Sequence, residues 1–158
     1  MFRKMRKKEK QLSEVEIKDV LEKCEFLTLA TYGEDGWPYA VPLSYVVIED
    51  KVYFHCSTEG QKYDCIENNL RVCLSAVRDV EAVWDNDFST YFQSVTLFGT
   101  AKILDEGAMK RSALLELAHK YLPEHMDKAQ RIIDQYNDVT AVVEITPVHM
   151  TGKAKRRK

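Results

Sequence analysis

Two prolines inside one β-forming segment constrain this fold more than any other feature of the sequence. Trp37 to Val47 reads as a strand, yet Pro38 and Pro42 sit within it. Proline has no N–H to give to a ladder, so the segment belongs at a sheet edge, at a bulge, or against something other than another strand. Its neighbours are also β-forming and are joined by short turns. Phe26–Tyr32 precedes it across the turn Gly33-Glu34-Asp35-Gly36, and Lys51–Cys56 follows the turn Glu49-Asp50. Arg71–Val77, Phe92–Leu104 and Thr140–Ile145 complete the set, with Gly99 a natural bulge and Pro147 closing the last strand. Turns of hairpin length enforce antiparallel neighbours.

Helical signals fall between these strands. Ser13 and Glu16 form a capping-box pattern ahead of an apolar stripe, Val15, Ile17, Val20 and Leu21, that ends near Lys23. Gln61–Asn68 is a short helix, and residues 107–121 and 125–135 are two amphipathic helices separated by Pro123. The order predicts a mainly β, α+β chain: six antiparallel strands in a closed or split barrel with flanking helices.

No repeat, low-complexity stretch or linker divides residues 1–158, so one domain is expected. Residues 1–10 carry six Lys/Arg and one Glu, and residues 153–158 carry five Lys/Arg. Of the 23 basic and 25 acidic residues, 12 and 24 remain in 11–152, a body near −12 with a basic tail at each end. An acidic body argues against nucleic acid, because a duplex-binding face must displace counterions. Tails that fold back on that body are the simpler expectation. No apolar run nears the roughly 18 residues of a membrane span, and no apolar stretch follows the basic N-terminus as a secretory signal would require. Cys24, Cys56, Cys65 and Cys73 form no CxxC pair and are expected reduced and mostly buried. These readings point to a cytoplasmic protein.

Chemistry concentrates in two segments. In Phe54-His55-Cys56-Ser57-Thr58-Glu59-Gly60-Gln61-Lys62 a strand ends, a small-residue loop turns, and a helix begins with a lysine in its first turn. Free N–H groups and the positive end of the helix dipole make an anion site there, to which Lys62 adds a full charge. A phosphate suits it, although the same pattern also fits a plain strand–helix corner with Lys62 in solvent. In Tyr39-Ala40-Val41-Pro42-Leu43-Ser44-Tyr45, Pro42 removes a ladder donor and frees backbone groups for a flat heteroaromatic ring, or blocks aggregation at an edge. Metal and triad readings find little support. His55 and Cys56 point to opposite faces of a strand, and His119 and His125 lack the i, i+4 spacing of a helical zinc pair.

Taken in order, Gly33-Glu34-Asp35-Gly36-Trp37-Pro38-Tyr39, Val41-Pro42-Leu43-Ser44-Tyr45, Val52-Tyr53-Phe54-His55-Cys56, Glu59-Gly60-Gln61-Lys62, Ser94-Val95, Phe98-Gly99 and His149-Met150-Thr151-Gly152-Lys153-Ala154 resemble the pyridoxamine 5′-phosphate oxidase-like, FMN-binding split-barrel superfamily, in its nitroimidazole-resistance branch. The resemblance covers nearly the whole chain. It implies a homodimer with FMN at the interface. The ring would lie on Val41, Pro42, Leu43 and Ser44 beside His55 and Cys56, and Ser57, Gly60, Gln61 and Lys62 would hold the phosphate. The partner would contribute around Ser94, His149 and Lys153.

Gln61 stands where many relatives place a second basic or imidazole group, which leaves one phosphate partner fewer. The basic set that holds a vitamin B6 phosphate is not recognisable, which argues against oxidation of that substrate. The resemblance therefore implies an FMN-dependent oxidoreductase that takes electrons from NADH or NADPH and passes them to a small acceptor such as a nitroaromatic. No catalytic side chain is assigned. The alternative is a non-catalytic flavin or haem protein of the same fold, with His55 or His149 as axial ligand.

Overall fold

The computed structural model describes residues 2–84 and 88–157. Its elements run α1 (Glu14–Lys23), β1 (Leu27–Tyr32), β2 (Pro38–Leu43), β3 (Val46–Ile48), β4 (Lys51–Ser57), α2 (Gln61–Asn68), β5 (Arg71–Trp84), β6 (Phe88–Leu104), α3 (Ala108–Tyr121), α4 (Met126–Tyr136) and β7 (Thr140–Lys155). The capping box forms as expected: Glu16 N–H donates to the Ser13 hydroxyl, and the Glu16 carboxylate accepts from the Ser13 N–H at 2.8 Å.

All seven strands join one antiparallel sheet in the order β2-β1-β5-β6-β7-β4-β3. The sequence suggested six strands. The proline-bearing segment divides at Ser44-Tyr45, where the chain leaves one edge of the sheet as β2 and joins the opposite edge as β3. Leu43 and Val46 are three Cα steps apart, at most about 11 Å, so the sheet must curl until its edges meet. One core records that curl, because Leu29, Leu43, Phe54, Leu74, Leu97 and Val143 from six strands share it with Ile17, Val20 and Leu21 of α1. The result is a split barrel with its seam between β2 and β3. Pro42 sits on an edge strand, as its missing N–H requires.

The seam is closed by side chains from the C-terminal end of α3. Lys120 Nζ donates to the carbonyls of Cys24 and Tyr45, each at 3.0 Å, and lies 4.0 Å from the centroid of the Tyr45 ring. The Tyr45 N–H donates to the Tyr121 hydroxyl at 3.0 Å. Desolvation holds the Lys120 ammonium below its ordinary pKa. Tyr45 is fully buried, its hydroxyl donating to the Leu21 carbonyl. α3 lies on the outer face of β3, β4 and β7, where Ala113 and Leu117 meet Val46, Tyr53 and Val142 in a second core.

Three strands run further than their patterns suggested. β5 continues to Trp84, β6 starts at Phe88, and β7 continues through Pro147 to Lys155. The β5–β6 extension is an arm largely exposed on both faces, so no inward–outward alternation marks it. In β7 the proline falls at a bulge. Gly99 pairs with Pro147 and Phe98 with His149, which leaves Val148 as the extra residue. A Cβ on Gly99 would lie 2.8 Å from the Thr146 carbonyl oxygen, so only glycine fits there.

The basic ends lie against the body. Lys153–Lys155 belong to β7, and Arg156 and Arg157 pair with Glu16 and Glu81 at 2.8 Å. Cys24, Cys56 and Cys65 are buried and Cys73 half-buried, all unpaired. Among the described residues no helix is long and apolar enough to cross a membrane.

Candidate functional site

The corner between β4 and α2 has the form the sequence suggests. The Ser57 hydroxyl accepts the Glu59 N–H at 3.3 Å, and the Thr58 N–H donates to the Val139 carbonyl at 3.3 Å, which fixes the loop against the start of β7. Gly60 adopts φ 109° and ψ 164°, a region reserved for glycine, and open space lies where its Cβ would be. No side chain caps α2. Its first backbone bond runs from the Asp64 N–H to the Gly60 carbonyl, so the N–H groups of Gln61, Lys62 and Tyr63 have no helical partner. Among the described residues Lys62 makes no ion pair, and its charge reaches back to both His55 and Cys56. Three free donors, a lysine and open space above a glycine suit a phosphate.

Strand alternation sorts the remaining candidates. On β4, Val52, Phe54 and Cys56 point into the core, while Tyr53, His55 and Ser57 occupy the outer face. Cys56 is buried, and burial pushes its thiol above the ordinary range, so it offers a ligand only its backbone. His55 opens instead into a cleft beneath α3 and α4, which Ser44 also lines. Water reaches the imidazole on the cleft side while protein crowds the other. That partial desolvation, with the smaller effect of Lys62, holds its pKa below the ordinary value. On β2, Leu43 is buried and Val41 packs against the core, which leaves Pro42 on the outer side, and Ser44, just past the strand, lines the cleft.

The third group, Ser94, His149 and Lys153, gathers on one outer face of the β6–β7 ladder. Ser94 is the register partner of Lys153, and His149 that of Phe98. The His149 ring stacks on Phe2 with centroids 4.5 Å apart and planes inclined by 10°. Val142, opposite His55, and His149 are seven residues apart on β7, about 23 Å of strand. A single chain therefore splits the candidates into two places. Val41–Ser44, His55 and Ser57–Lys62 belong to the seam end, and Ser94, His149 and Lys153 to the far face.

Sequence reasoning did not reach the cleft under α3 and α4. The amphipathic pattern of α4 was visible, but not which surface it overhangs. Lys120 and Tyr121, which close the seam, gave no local signal because their partners lie some 75 to 96 residues away. Among the described residues no cluster of three or more His, Cys, Asp or Glu is placed to hold a metal ion.

A family model described as pyridoxamine 5′-phosphate oxidase matches residues 13–154. The chain belongs to that family. Solved structures with the same fold include a candidate 5-nitroimidazole antibiotic resistance protein of Bacteroides thetaiotaomicron, 19% identical over 91% of this chain and 86% of the other, with a TM-score of 0.75. The flavocytochrome Anf3 of Azotobacter vinelandii is 19% identical over 98% and 73%, TM-score 0.83. An FAD- and haem-binding protein of Mycobacterium smegmatis is 22% identical over 94% and 74%, TM-score 0.78. A sequence search of curated proteins finds no significant match. The split barrel is thus the frame that this member of the pyridoxamine 5′-phosphate oxidase family shares with those structures.

Proposed function

We propose that the chain binds FMN and works as a flavin-dependent reductase of a small acceptor, with a reduced nicotinamide as donor. The observation that carries this reading is the α2 corner. A lysine with no ion pair among the described residues, three N–H groups without a helical partner and the positive-φ Gly60 converge where a strand ends. In this reading Ser57, Gly60, Gln61 and Lys62 hold the phosphate. The ring lies along the outer edge of β2, against Pro42, Ser44 and the backbone of Val41 and Leu43, with His55 beside it. Ser94, His149 and Lys153 come from a second copy in this reading, because within one chain they lie on the far stretch of the β6–β7 ladder, seven or more residues along β7 from the position opposite His55. The bound flavin would supply the electron transfer, and the protein would orient it and exclude water. The nitroimidazole-resistance branch is the nearest sense of the reading, and a nitroaromatic is the acceptor class to try first.

A visible spectrum of the purified protein, followed by anaerobic addition of NADH and NADPH, tests the function directly. Flavin bands that bleach are expected. A Soret band in their place would favour a haem protein, and flavin bands that never bleach would favour a carrier or sensor. For the phosphate site, Lys62→Ala should weaken FMN binding roughly tenfold to a hundredfold, the worth of one charge-assisted hydrogen bond. Unchanged affinity would move the phosphate elsewhere.

A further inference from the structure

α4 leaves an apolar face half covered. It rests on α3 and on the turns at its own ends, and Ala129 is its only buried residue. Ile132 is 43% exposed, and Leu122, at the turn into α4, is 56% exposed. A surface helix ordinarily lays such a stripe on a core. Here the stripe roofs a cleft of about 460 Å³, within the size range of small-molecule sites. Leu114, Leu117, Ala118, Ile132 and Ile133 supply aliphatic walls, and His55 and Ser44 lie on the strand side.

The charges around the cleft are one-sided. Lys128 and His125 line it, and among the described residues no Asp or Glu does. Lys128 makes no ion pair among the described residues. His55 is held toward its neutral form and can accept or donate a hydrogen bond without adding charge. An apolar cation would find no counter-charge here, whereas an apolar anion would find a lysine and an imidazole.

The geometry points to the α3–α4 cleft as a binding site for a small apolar molecule carrying one negative charge, an aromatic carboxylate by class. Its body lies under α4 and its charged group faces Lys128. Placing that molecule beside a flavin, through the shared residues His55 and Ser44, rests on the function proposed above. Its binding in the cleft does not.

Calorimetric titration of the whole protein with 2-naphthoate, and with 2-naphthylmethylammonium as the cation of similar shape, tests the site. FMN affinity is measured in parallel by quenching of flavin fluorescence. One naphthoate per chain is expected, with the cation binding at least tenfold more weakly. Lys128→Glu should cut naphthoate affinity roughly tenfold, since it reverses one exposed charge, and leave FMN affinity unchanged. Ile132→Asp, at a partly exposed position, should abolish naphthoate binding while the melting curve stays cooperative. Equal affinity for both probes, or naphthoate binding indifferent to both variants, would overturn the proposal. So would an empty titration, and conversion of a dimer to a monomer by Ile132→Asp would then show the cleft filled by a second copy. Naphthoate binding without FMN binding would leave the site standing and remove only its link to a flavin.

Discussion

His55 and Lys62 are seven residues apart and electrostatically joined. The imidazole sits below its ordinary pKa, first because protein crowds it and second because the Lys62 ammonium opposes a second positive charge nearby. Both signs can be tested. Lys62→Gln removes the opposing charge, so the His55 pKa should rise, though not to its ordinary value, because desolvation remains. Bound FMN should also raise it in the wild-type protein, since a phosphate dianion favours imidazolium. An NMR titration of the four histidines, with His55→Gln to assign the signal, reads both shifts. No movement in Lys62→Gln would mean that the lysine points away from the corner. This pair was legible in the sequence because a strand, a small loop and a helix start within nine residues fix their own geometry. The resemblance places Val41, Pro42, Leu43 and Ser44 together at the ring with both His55 and Cys56, whereas alternation, already evident for His55 and Cys56, admits only every second side chain to a given face. Pro42, Ser44, His55 and Ser57 face outward, and Leu43 and Cys56 turn into the core.

Strand lengths and connections show where local pattern stops. Short alternating segments over the barrel core were legible, as were the helix starts, because burial on one face imposes a period on the sequence. The β5–β6 arm has little core to cover and carried no such period, and the division of β2 from β3 depends on edges that meet only once the sheet has curled. The β3–β4 hairpin is a second such case. Ile48 pairs with Lys51 across a two-residue turn in which Glu49 and Asp50 both have positive φ, 48° and 65°. Such a turn favours Asn, Asp and Gly, so Asp50 suits it and Glu49 does not. Glu49→Asn should therefore stabilise the protein by about 0.5 kcal/mol, and Glu49→Val should destabilise it by about 1 kcal/mol or more, because a β-branched side chain resists the left-handed region. Both are read from urea midpoints at constant slope. Asp50 is best left in place, since it pairs with Lys18 at 2.8 Å. Equal midpoints for the three proteins would mean that the turn relaxes to another conformation.

At the scale of the whole molecule, the candidate residues pose a problem that a single chain does not solve. Lys62 stands in the first turn of α2, just past the end of β4, while Lys153 lies on the β6–β7 face, eleven residues of β7 beyond Val142. The two lysines thus stand at opposite ends of a long, bulged strand, and a second copy offers a way to bring both to one phosphate and one ring. The outer face of β6–β7 near Ser94, Thr96 and Thr151 is only half-buried, and its small side chains give a surface that another copy can approach closely. A two-fold pair would bring the Lys153 end of one protomer to the Lys62 end of the other, twice over. This arrangement makes a quantitative prediction. Lys62→Ala and Lys153→Ala should each bind FMN weakly when pure. When the two are mixed, dissociated and reassociated, half of the dimers are mixed, and each mixed dimer contains one site with both lysines intact. About a quarter of all sites should then recover wild-type affinity. Flavin titration of the mixture measures that fraction, with each variant alone as the baseline. A mixture no better than its components would mean that both lysines serve one chain's site or that Lys153 serves none. Recovery near a quarter would place the two residues across the proposed interface.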